Sequence, residues 1–441
     1  MVLAALSSFG LGAQTLRLPT PDMINVQVPP ARNLFPDPIR REDAVRAAMK
    51  EIPPYSFLDS SANKIVGEGR NYEKVWAKLD SLLLLGEGNL RIMHIGGSHV
   101  QGGALTHELR RDFLTLCQGK AGDVGMAFPY TAAKTNTPLG YRTHYTGKWT
   151  SSKCLKSQPE FKLGLMGMAV APEDTGATVS LVTRPRYPLP GEEPIPFDVV
   201  KVLGYTEGDT RPVVLHASDT LEGIREEFYH RFNLPCRTDS VNIGFRGDSG
   251  RFVITGLRLE NGNPGVSVSG VGVNGASLVS YQRCENLRRD LELVRPDLVI
   301  FAIGINDAVS VDFNTELFKM RYESMISKVL EVNPDCAILF VSNNDSCRRV
   351  RRKGYVTNQN GPLASEAFAD LAKKYHACHW DLFNIMGGLG SMRRWEAEKL
   401  ARRDKVHFTE SGYELIADML FNALMRRYEE YISEGGNVFV N

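Results

Sequence analysis

The sequence predicts an α/β domain with a parallel sheet that is interrupted by an all-β domain. Strand-like apolar runs alternate with amphipathic helical segments near both ends of the chain. Between residues 118 and 264 this alternation gives way to short β-branched and aromatic runs separated by Gly, Pro, Asn and Asp. The chain has 441 residues, more than one ordinary hydrophobic core requires, so a second domain is expected.

The N-terminal residues resemble a targeting segment. Residues 1–13 are small and apolar and end before Gln14, which predicts a secretory signal peptide. The basic residues that usually begin such a signal are missing, so an uncleaved apolar N-terminus is the alternative. This stretch is too short to span a bilayer, and no membrane span is predicted. Residues 14–42 are rich in proline and polar residues and predict an extended segment.

Residues 43–117 form the first part of the predicted α/β domain. Helical periodicity up to residue 85 is followed by a strand over 91–95 and by a helix that contains Leu105, Leu109 and Phe113. The letters "GGSH" lie between this strand and this helix, so Ser98 lies at a strand-to-helix turn.

Residues 118–264 predict the interrupting domain. Runs such as "ATVSLVTRP", "FDVVKVLGY" and "GRFVITGLRLE" are typical of strands in a β-sandwich or jelly roll. Helical periodicity returns there only over a short piece at residues 221–228.

Residues 265–441 predict the second part of the α/β domain. The strands "VSVSGVGV", "DLVIFAIG", "CAILFVSN" and "CHWDL" alternate with helices over 278–293, 316–332, 363–376 and 410–431. This βαβ pattern is typical of a parallel sheet that helices cover on both faces.

Charge and cysteine content exclude several classes of function. Lys and Arg number 52 against 51 Asp and Glu, a formal charge of +1, so no nucleic-acid partner is expected. The seven cysteines are scattered without a CxxC pair, which argues against a structural zinc site and leaves their pairing open. No metal and no organic cofactor is predicted.

Polar residues follow four of the predicted strands. Ser98 follows the first, Gly275 the second and Asn306 the third, and His407 lies in the loop before the last helix. Because sites in α/β proteins form at the carboxyl ends of parallel strands, these loops are expected to meet at one edge of the sheet.

The segments "GGSH", "GVNGAS", "GIND" and "DKVH" resemble, in order, the four blocks of the SGNH or GDSL hydrolases. These are esterases with a flavodoxin-like three-layer α/β/α fold. The resemblance covers residues 91–116 and 266–424 and leaves the β region outside it. Any one block is a weak signal, whereas four in the right order at strand ends are a strong one.

The resemblance implies a catalytic role for five residues. Ser98 is the expected nucleophile, His407 the base that activates it, and Asp404 the group that holds the His407 tautomer. The backbone N–H groups of Ser98 and Gly275 and the side-chain amide of Asn306 are the expected oxyanion hole.

One position departs from the family pattern. The first block usually contains an aspartate where this chain has Gly97. We expect the aspartate to support the turn, so that another polar group holds the loop here and activity survives. A relative without activity is the alternative.

Three more residues are candidate substrate contacts. His99 and Gln101 follow the nucleophile and either touch substrate or satisfy the first helical turn. Asp307 either contacts substrate or holds the Asn306 loop. Among the other histidines, His94 is expected in the core.

The basic run at residues 348–355, "RRVRRKGY", has two interpretations. A solvated loop is the ordinary one. Since the run follows a predicted strand, it could instead border the cleft and attract an anionic glycan.

The domain organisation suggests the substrate. Exported bacterial peptidoglycan O-acetylesterases are similar, with a β-sandwich like a carbohydrate-binding module inserted between the serine and glycine blocks. The expected function is an exported serine esterase that removes O-acetyl groups from a polysaccharide such as peptidoglycan, in the periplasm or cell envelope or after secretion. Alternatives are a polysaccharide O-acetyltransferase with the same triad and a glycan-binding protein with a vestigial site. The oligomeric state is not predicted.

Overall fold

The computed structural model describes residues 38–216 and 219–436. The predicted signal peptide and most of the predicted extended segment therefore lie outside the described residues.

The strands of the described residues are, in chain order, β1 (Ile65–Gly67), β2 (Asn89–Gly96), β3 (Gly125–Ala127), β4 (Arg142–Thr146), β5 (Trp149–Lys153), β6 (Met168–Pro172), β7 (Thr178–Val182), β8 (Phe197–Gly208), β9 (Arg211–His216), β10 (Asp219–Glu222), β11 (Ile224–Arg225), β12 (Tyr229–Thr238), β13 (Ser240–Arg246), β14 (Gly250–Glu260), β15 (Gly265–Gly272), β16 (Leu298–Ala302), β17 (Ala337–Val341), β18 (Cys347–Val350), β19 (Gly354–Thr357) and β20 (Cys378–Trp380).

The helices are α1 (Pro38–Ala48), α2 (Tyr72–Asp80), α3 (Ser98–Gln101), α4 (Ala104–Leu116), α5 (Leu278–Gln282), α6 (Leu287–Val294), α7 (Ile305–Ala308), α8 (Thr315–Val332), α9 (Gly361–Lys374), α10 (Leu382–Ile385), α11 (Met392–Ala397) and α12 (Glu410–Ser433).

The α/β part is built on a six-stranded sheet in the order β1-β20-β17-β16-β2-β15. Five of its strands are parallel, and β1 pairs antiparallel with β20 at one edge. Strand β17 is buried at every position, as expected when helices cover both faces of a parallel sheet. This architecture agrees with the predicted fold class.

Two hydrophobic clusters separate the layers. Helices α1, α2, α4 and α12 contribute to one cluster, and α6, α8 and α9 contribute to the other. Successive residues of β2 alternate between them, with Ile92 in the first cluster and Met93 in the second. The longest helices begin at side-chain caps: Asn314 accepts from the N–H of Leu317 at α8, and Thr409 from that of Gly412 at α12.

The β region forms two antiparallel sheets. One has the order β10-β9-β13-β7-β4 and the other β11-β12-β8-β14-β6-β5, with β3 paired to β14. Apolar side chains of both sheets belong to one buried cluster, for example Val179 and Ile243 of the first with Val202 and Ile254 of the second. The two sheets therefore pack face to face as a sandwich. The finer prediction of a jelly roll stays a prediction.

The sandwich is seated on the α/β part. The cluster that fills it also contains Val271 and Phe301 of the central sheet. Hydrogen bonds cross the junction from Met126 N to Ser269 Oγ at 3.0 Å and from Leu165 N to Asp290 Oδ2 at 2.9 Å. The inserted strands are thus held close to the edge at which the predicted site lies.

Three local predictions are wrong. Helix α1 begins at Pro38, inside the segment predicted to be extended. Residues 221–228 are not helical, because β10 pairs with β9 and this tertiary pairing overrides the local periodicity. The helix predicted over 278–293 is divided into α5 and α6, since the N–H of Asn286 donates to the Leu163 carbonyl at 3.0 Å instead of continuing the helix.

Other features bear on earlier expectations. The basic run at 348–355 is not an irregular loop, because it lies mainly in the hairpin of β18 and β19. All seven cysteines lie in the described residues, and none forms a disulfide. Within residues 38–216 and 219–436, no helix has the length and apolar character needed to cross a bilayer.

Candidate active site

Ser98 lies at the turn between β2 and α3. A Cβ atom on Gly96 would lie 2.3 Å from Val100 Cγ2 and 2.9 Å from the Ala302 carbonyl oxygen, so the close approach at the strand end requires glycine. The buried Tyr281 hydroxyl donates to the Gly96 carbonyl at 2.9 Å. These contacts hold the half-buried serine at the carboxyl edge of the sheet.

A hydrogen-bonded relay starts at Ser98. Its Oγ lies 2.7 Å from His407 Nε2, and His407 Nδ1 lies 2.9 Å from Asp404 Oδ2. The other carboxylate oxygen of Asp404 accepts from the backbone N–H groups of Val406 and His407, both at 2.9 Å. Partial burial favours a higher Asp404 pKa, but the hydrogen bonds from His407 and Val406 outweigh it and lower that pKa. The structure thus brings the three predicted triad residues together with an ionised Asp404.

The predicted oxyanion donors lie beside this relay. Ser98 is the first residue of α3, so its N–H is one of the donors that a helix start leaves unpaired. Gly275 follows β15 with a φ of 79°, a conformation that favours glycine. Asn306 lies in α7 after β16, and its Nδ2 donates to the Ala276 carbonyl at 2.9 Å. The second hydrogen on Nδ2 remains available to a developing oxyanion.

Polar groups near Gly97 hold the turn that lacks the usual aspartate. A Cβ at this position would lie 3.6 Å from Asn306 Nδ2 and 3.4 Å from the Ala276 carbonyl oxygen. A carboxylate there would therefore border the Asn306 amide. In this chain the Ala276 carbonyl accepts from that amide instead, and Tyr281 holds the strand end.

Gln101 does not face the substrate, contrary to one of its two predicted roles. It is only 1% exposed. Its Nε2 donates to Thr135 Oγ1 at 2.9 Å and to the backbone and side-chain oxygens of Asn136 at 3.0 Å. Its Oε1 accepts from the N–H of Asn274 at 2.6 Å. Gln101 therefore ties the serine turn to the loop that carries Gly275 and to the inserted region.

Replacing Gln101 by leucine is expected to destabilise the protein by about 1–3 kcal/mol, because Asn274 and Asn136 lose a buried partner. Since the Gly275 loop would shift, kcat for p-nitrophenyl acetate should also fall by about tenfold. Urea unfolding and initial rates measure the two effects. The exposed Gln359→Leu is the control, and a Gln101 variant within about 0.5 kcal/mol of wild type would contradict this role.

His99 lies behind the catalytic base and not on the substrate side. Its Nδ1 lies 2.9 Å from the Tyr413 hydroxyl, and its ring centroid lies 5.0 Å from that of His407. Burial, followed by the charge of a protonated His407, lowers the His99 pKa to about 3. A neutral imidazole therefore backs the His407 ring, and the predicted substrate contact is not supported.

Asp307 has the second of its two predicted roles. Its carboxylate accepts from the backbone N–H of Leu278, the first residue of α5, at 3.1 Å. Burial raises its pKa to about 6, and Arg321 lies 3.8 Å away. The side chain thus links the Asn306 loop to the start of α5, and it is only 4% exposed, too little for a substrate contact.

The inserted region also reaches the site, which no sequence motif indicates. The exposed Asn136 accepts from Asn274 Nδ2 at 2.6 Å. The exposed Leu155 places its methyl groups 3.8 and 3.9 Å from the position that a Cβ on Gly275 would occupy. Both contacts join positions more than a hundred residues apart, so local patterns in the sequence carry no signal for them.

Two further groups of titratable residues lie outside the relay. His94 is buried and hydrogen-bonds Thr106 Oγ1 at 2.9 Å, as expected for a core histidine. Glu108, Asp112 and Asp418 come close enough together to hold a cation. Lys50 Nζ already lies 2.6 Å from Asp112, and none of the three acids belongs to the relay.

Comparisons with known proteins agree with the predicted fold. Residues 239–415 match the model of the GDSL-like lipase/acylhydrolase family, a span that includes Gly275, Asn306, Asp404 and His407. No curated protein matches the sequence.

A solved structure that matches most of the chain supports the fold. A peptidoglycan O-acetylesterase matches with a TM-score of 0.68 at 20% identity, over 83% of this chain and 99% of that chain. An acetyl xylan esterase, AlAXEase, matches at 19% identity over 36% of this chain and 81% of that one, with a TM-score of 0.30. A lipase/acylhydrolase from Enterococcus faecalis matches at 20% identity over 37% and 77%, with a TM-score of 0.29. Residues 239–415 are thus similar to the GDSL-like lipase/acylhydrolase family, and over most of its length the chain shares the fold of the peptidoglycan O-acetylesterase.

Proposed function

We propose that this protein is an exported O-acetylesterase that removes acetyl groups from a polysaccharide, with peptidoglycan as the first candidate. The observation that carries the proposal is the relay of Ser98, His407 and Asp404 at 2.7 and 2.9 Å beside Gly275 and Asn306. Export rests on the apolar sequence of residues 1–13.

The proposed reaction has two steps. Ser98 Oγ bonds to the acetyl carbonyl carbon while its proton moves to His407 Nε2, and the carbonyl oxygen becomes an oxyanion that the Gly275 and Asn306 donors meet. The carbon–oxygen bond to the sugar then breaks, and His407 returns the proton to the departing sugar hydroxyl. Water attacks the acetyl-Ser98 ester with His407 as base, which releases acetate and restores the serine.

One feature of the rim favours a substituent that is carried on a polymer. The sandwich contributes Leu155 and Asn136 at the rim, and this supports a surface on which a chain of sugars lies while one substituent is removed.

The test is acetate release from O-acetylated peptidoglycan, acetylated xylan, and the p-nitrophenyl esters of acetate and octanoate. We expect release from at least one polymer and a preference for acetate over octanoate. Activity on esters alone would contradict a polysaccharide substrate, whereas acetyl transfer to added sugar in place of hydrolysis would indicate a transferase. Retained polymer binding without turnover would indicate a vestigial site. Cell fractionation tests export, and recovery with the cytosol would contradict it.

A further inference from the structure

The hairpin of β18 and β19 forms the basic rim of the site. Its base is joined to the loop that carries Asp404 and His407, here called the catalytic loop, because the N–H of Cys347 donates to the Lys405 carbonyl at 2.8 Å. On the other side, Asn358 Nδ2 donates to the carbonyl of Ala308 in α7, the helix that carries Asn306, at 3.2 Å. The hairpin thus rises from between the loop of His407 and the helix of the oxyanion donor.

The hairpin carries five cations that are not neutralised. Arg348 is partly exposed and the others are exposed, and none of the five forms an ion pair within residues 38–216 and 219–436. They are Arg348, Arg349, Arg351, Arg352 and Lys353.

Two further cations lie against the hairpin. Arg393 donates to the Tyr355 carbonyl at 2.9 Å, and Lys405 Nζ lies 4.9 Å from the centre of the Tyr355 ring. The first contact joins the hairpin to α11, and the second joins it to the catalytic loop. A strand pair of this length extends about 13 Å from its base.

The acidic groups near the hairpin are engaged elsewhere. Glu396 pairs with Lys405 at 2.6 Å, and Asp404 is bound to His407. Asp345 is buried and accepts from the N–H of Met392 at 2.9 Å. The five hairpin cations therefore leave a positive potential at the rim, in a chain whose overall charge is only +1.

We propose that this hairpin binds the carboxylates of an acidic acetylated glycan and holds the polymer over Ser98, so that the enzyme selects anionic over neutral acetylated polysaccharides. This inference rests on the proposed function and adds the charge of the substrate. Peptidoglycan, whose peptide stems carry free carboxylates, has the required chemistry, whereas acetylated xylan without acidic substituents does not. The tip residues are Arg351, Arg352, Lys353 and Gly354, with no large apolar side chain to enter a lipid bilayer, which favours a glycan over a membrane.

The test removes four exposed hairpin cations and leaves the catalytic residues intact. The test variant carries Arg349→Gln, Arg351→Gln, Arg352→Gln and Lys353→Gln. The control variant loses the same charge at exposed positions outside the hairpin, with Lys64→Gln, Arg225→Gln, Arg295→Gln and Lys373→Gln. The substrates are O-acetylated sacculi, the same sacculi after amidation of their carboxylates, acetylated xylan, and p-nitrophenyl acetate.

At low salt the hairpin variant should lose about tenfold in kcat/KM on O-acetylated sacculi, mostly through KM, and nothing on p-nitrophenyl acetate or xylan. Wild type should lose the same factor on amidated sacculi, where the variant loses no more. At about 1 M salt, where the Debye length is about 3 Å, the difference should vanish. The proposal would be overturned if the hairpin variant kept the kcat/KM of wild type on sacculi, or if the control variant lost as much as the hairpin variant.

Binding separates this proposal from the proposed function. Co-sedimentation with sacculi stripped of acetyl groups needs no turnover, so it tests the hairpin even if the enzyme releases no acetate from any polymer. We expect the hairpin variant, and not the control variant, to lose co-sedimentation with these sacculi. Retention that is equal in both variants, or hairpin-dependent binding to vesicles of anionic lipid with none to sacculi, would overturn it.

Discussion

Replacing Ser98 by alanine is expected to lower kcat for acetate release on the order of 10⁵-fold. Without Oγ no acyl-enzyme forms, and His407 Nε2 loses the partner that lies 2.7 Å from it. The activity that remains would come from the oxyanion donors acting on a direct attack by water. The binding surface is unchanged, so polymer affinity should stay near that of wild type.

The same geometry predicts that the triad residues act as a unit. His407 accepts the proton only because Ser98 is within hydrogen-bond distance, so the second replacement removes nothing that the first has left working. The Ser98→Ala/His407→Ala double variant should therefore have about the kcat of Ser98→Ala alone. If Ser98 and His407 contributed independently, the fold losses in kcat of the two single variants would instead multiply.

The measurement is the initial rate of acetate release by the single and double variants, with Ser433→Ala as the control. Ser433 is exposed near the end of α12, and its hydroxyl only donates to a carbonyl of its own helix. A Ser98 variant that keeps a tenth of the wild-type rate would contradict nucleophilic catalysis by this serine. A double variant far slower than either single variant would contradict the prediction that the triad residues act as a unit.

Local patterns were enough to predict the fold class and to place the relay. Strand and helix periods need only neighbouring residues, and the carboxyl-edge rule turns strand ends into positions in space. Ser98, Asn306 and His407 follow such ends or lie in the next loop. The roles of these residues came instead from the resemblance of the four segments to the blocks of the SGNH hydrolases.

Local sequence patterns could not predict the contacts between the α/β part and the sandwich. Gln101 follows the nucleophile and resembles a substrate contact in sequence, yet its amide is used by Asn136 and Asn274. The surroundings of His99 also depend on a distant segment, since only the docking of α12 puts Tyr413 at its Nδ1. A buried polar side chain is identified by its partners, and distant segments supply these partners.

Replacing Asp404 by asparagine is expected to lower kcat by about 10³- to 10⁴-fold. The new amide can still accept from the N–H groups of Val406 and His407, so the loop should keep its shape. Its NH₂ group would face His407 Nδ1, where the carboxylate now accepts at 2.9 Å. The imidazole would then carry its proton on Nε2 and donate to Ser98, which prevents it from acting as the base.

Stability should change much less than rate, with a defined pH dependence. The pKa of Asp404 is lowered in the folded state, so its ionised form stabilises the protein above the unfolded pKa of about 3.9. That contribution is lost as the pH falls through the folded pKa. Wild type should therefore exceed Asp404→Asn in stability at neutral pH, and the difference should close in acid.

Urea unfolding at pH 7 and below pH 3.9, together with kcat at pH 7, separates orientation from stability. Asp335→Asn is the matched control, because Asp335 is exposed, pairs with Lys74 and precedes β17 at the opposite edge of the sheet. A large loss of kcat with a small loss of stability is expected, since Asp404 fixes a tautomer more than it holds a loop. If kcat and stability fell together, the carboxylate would instead be holding the loop in place, and if kcat were unchanged, His407 would need no partner to act as the base.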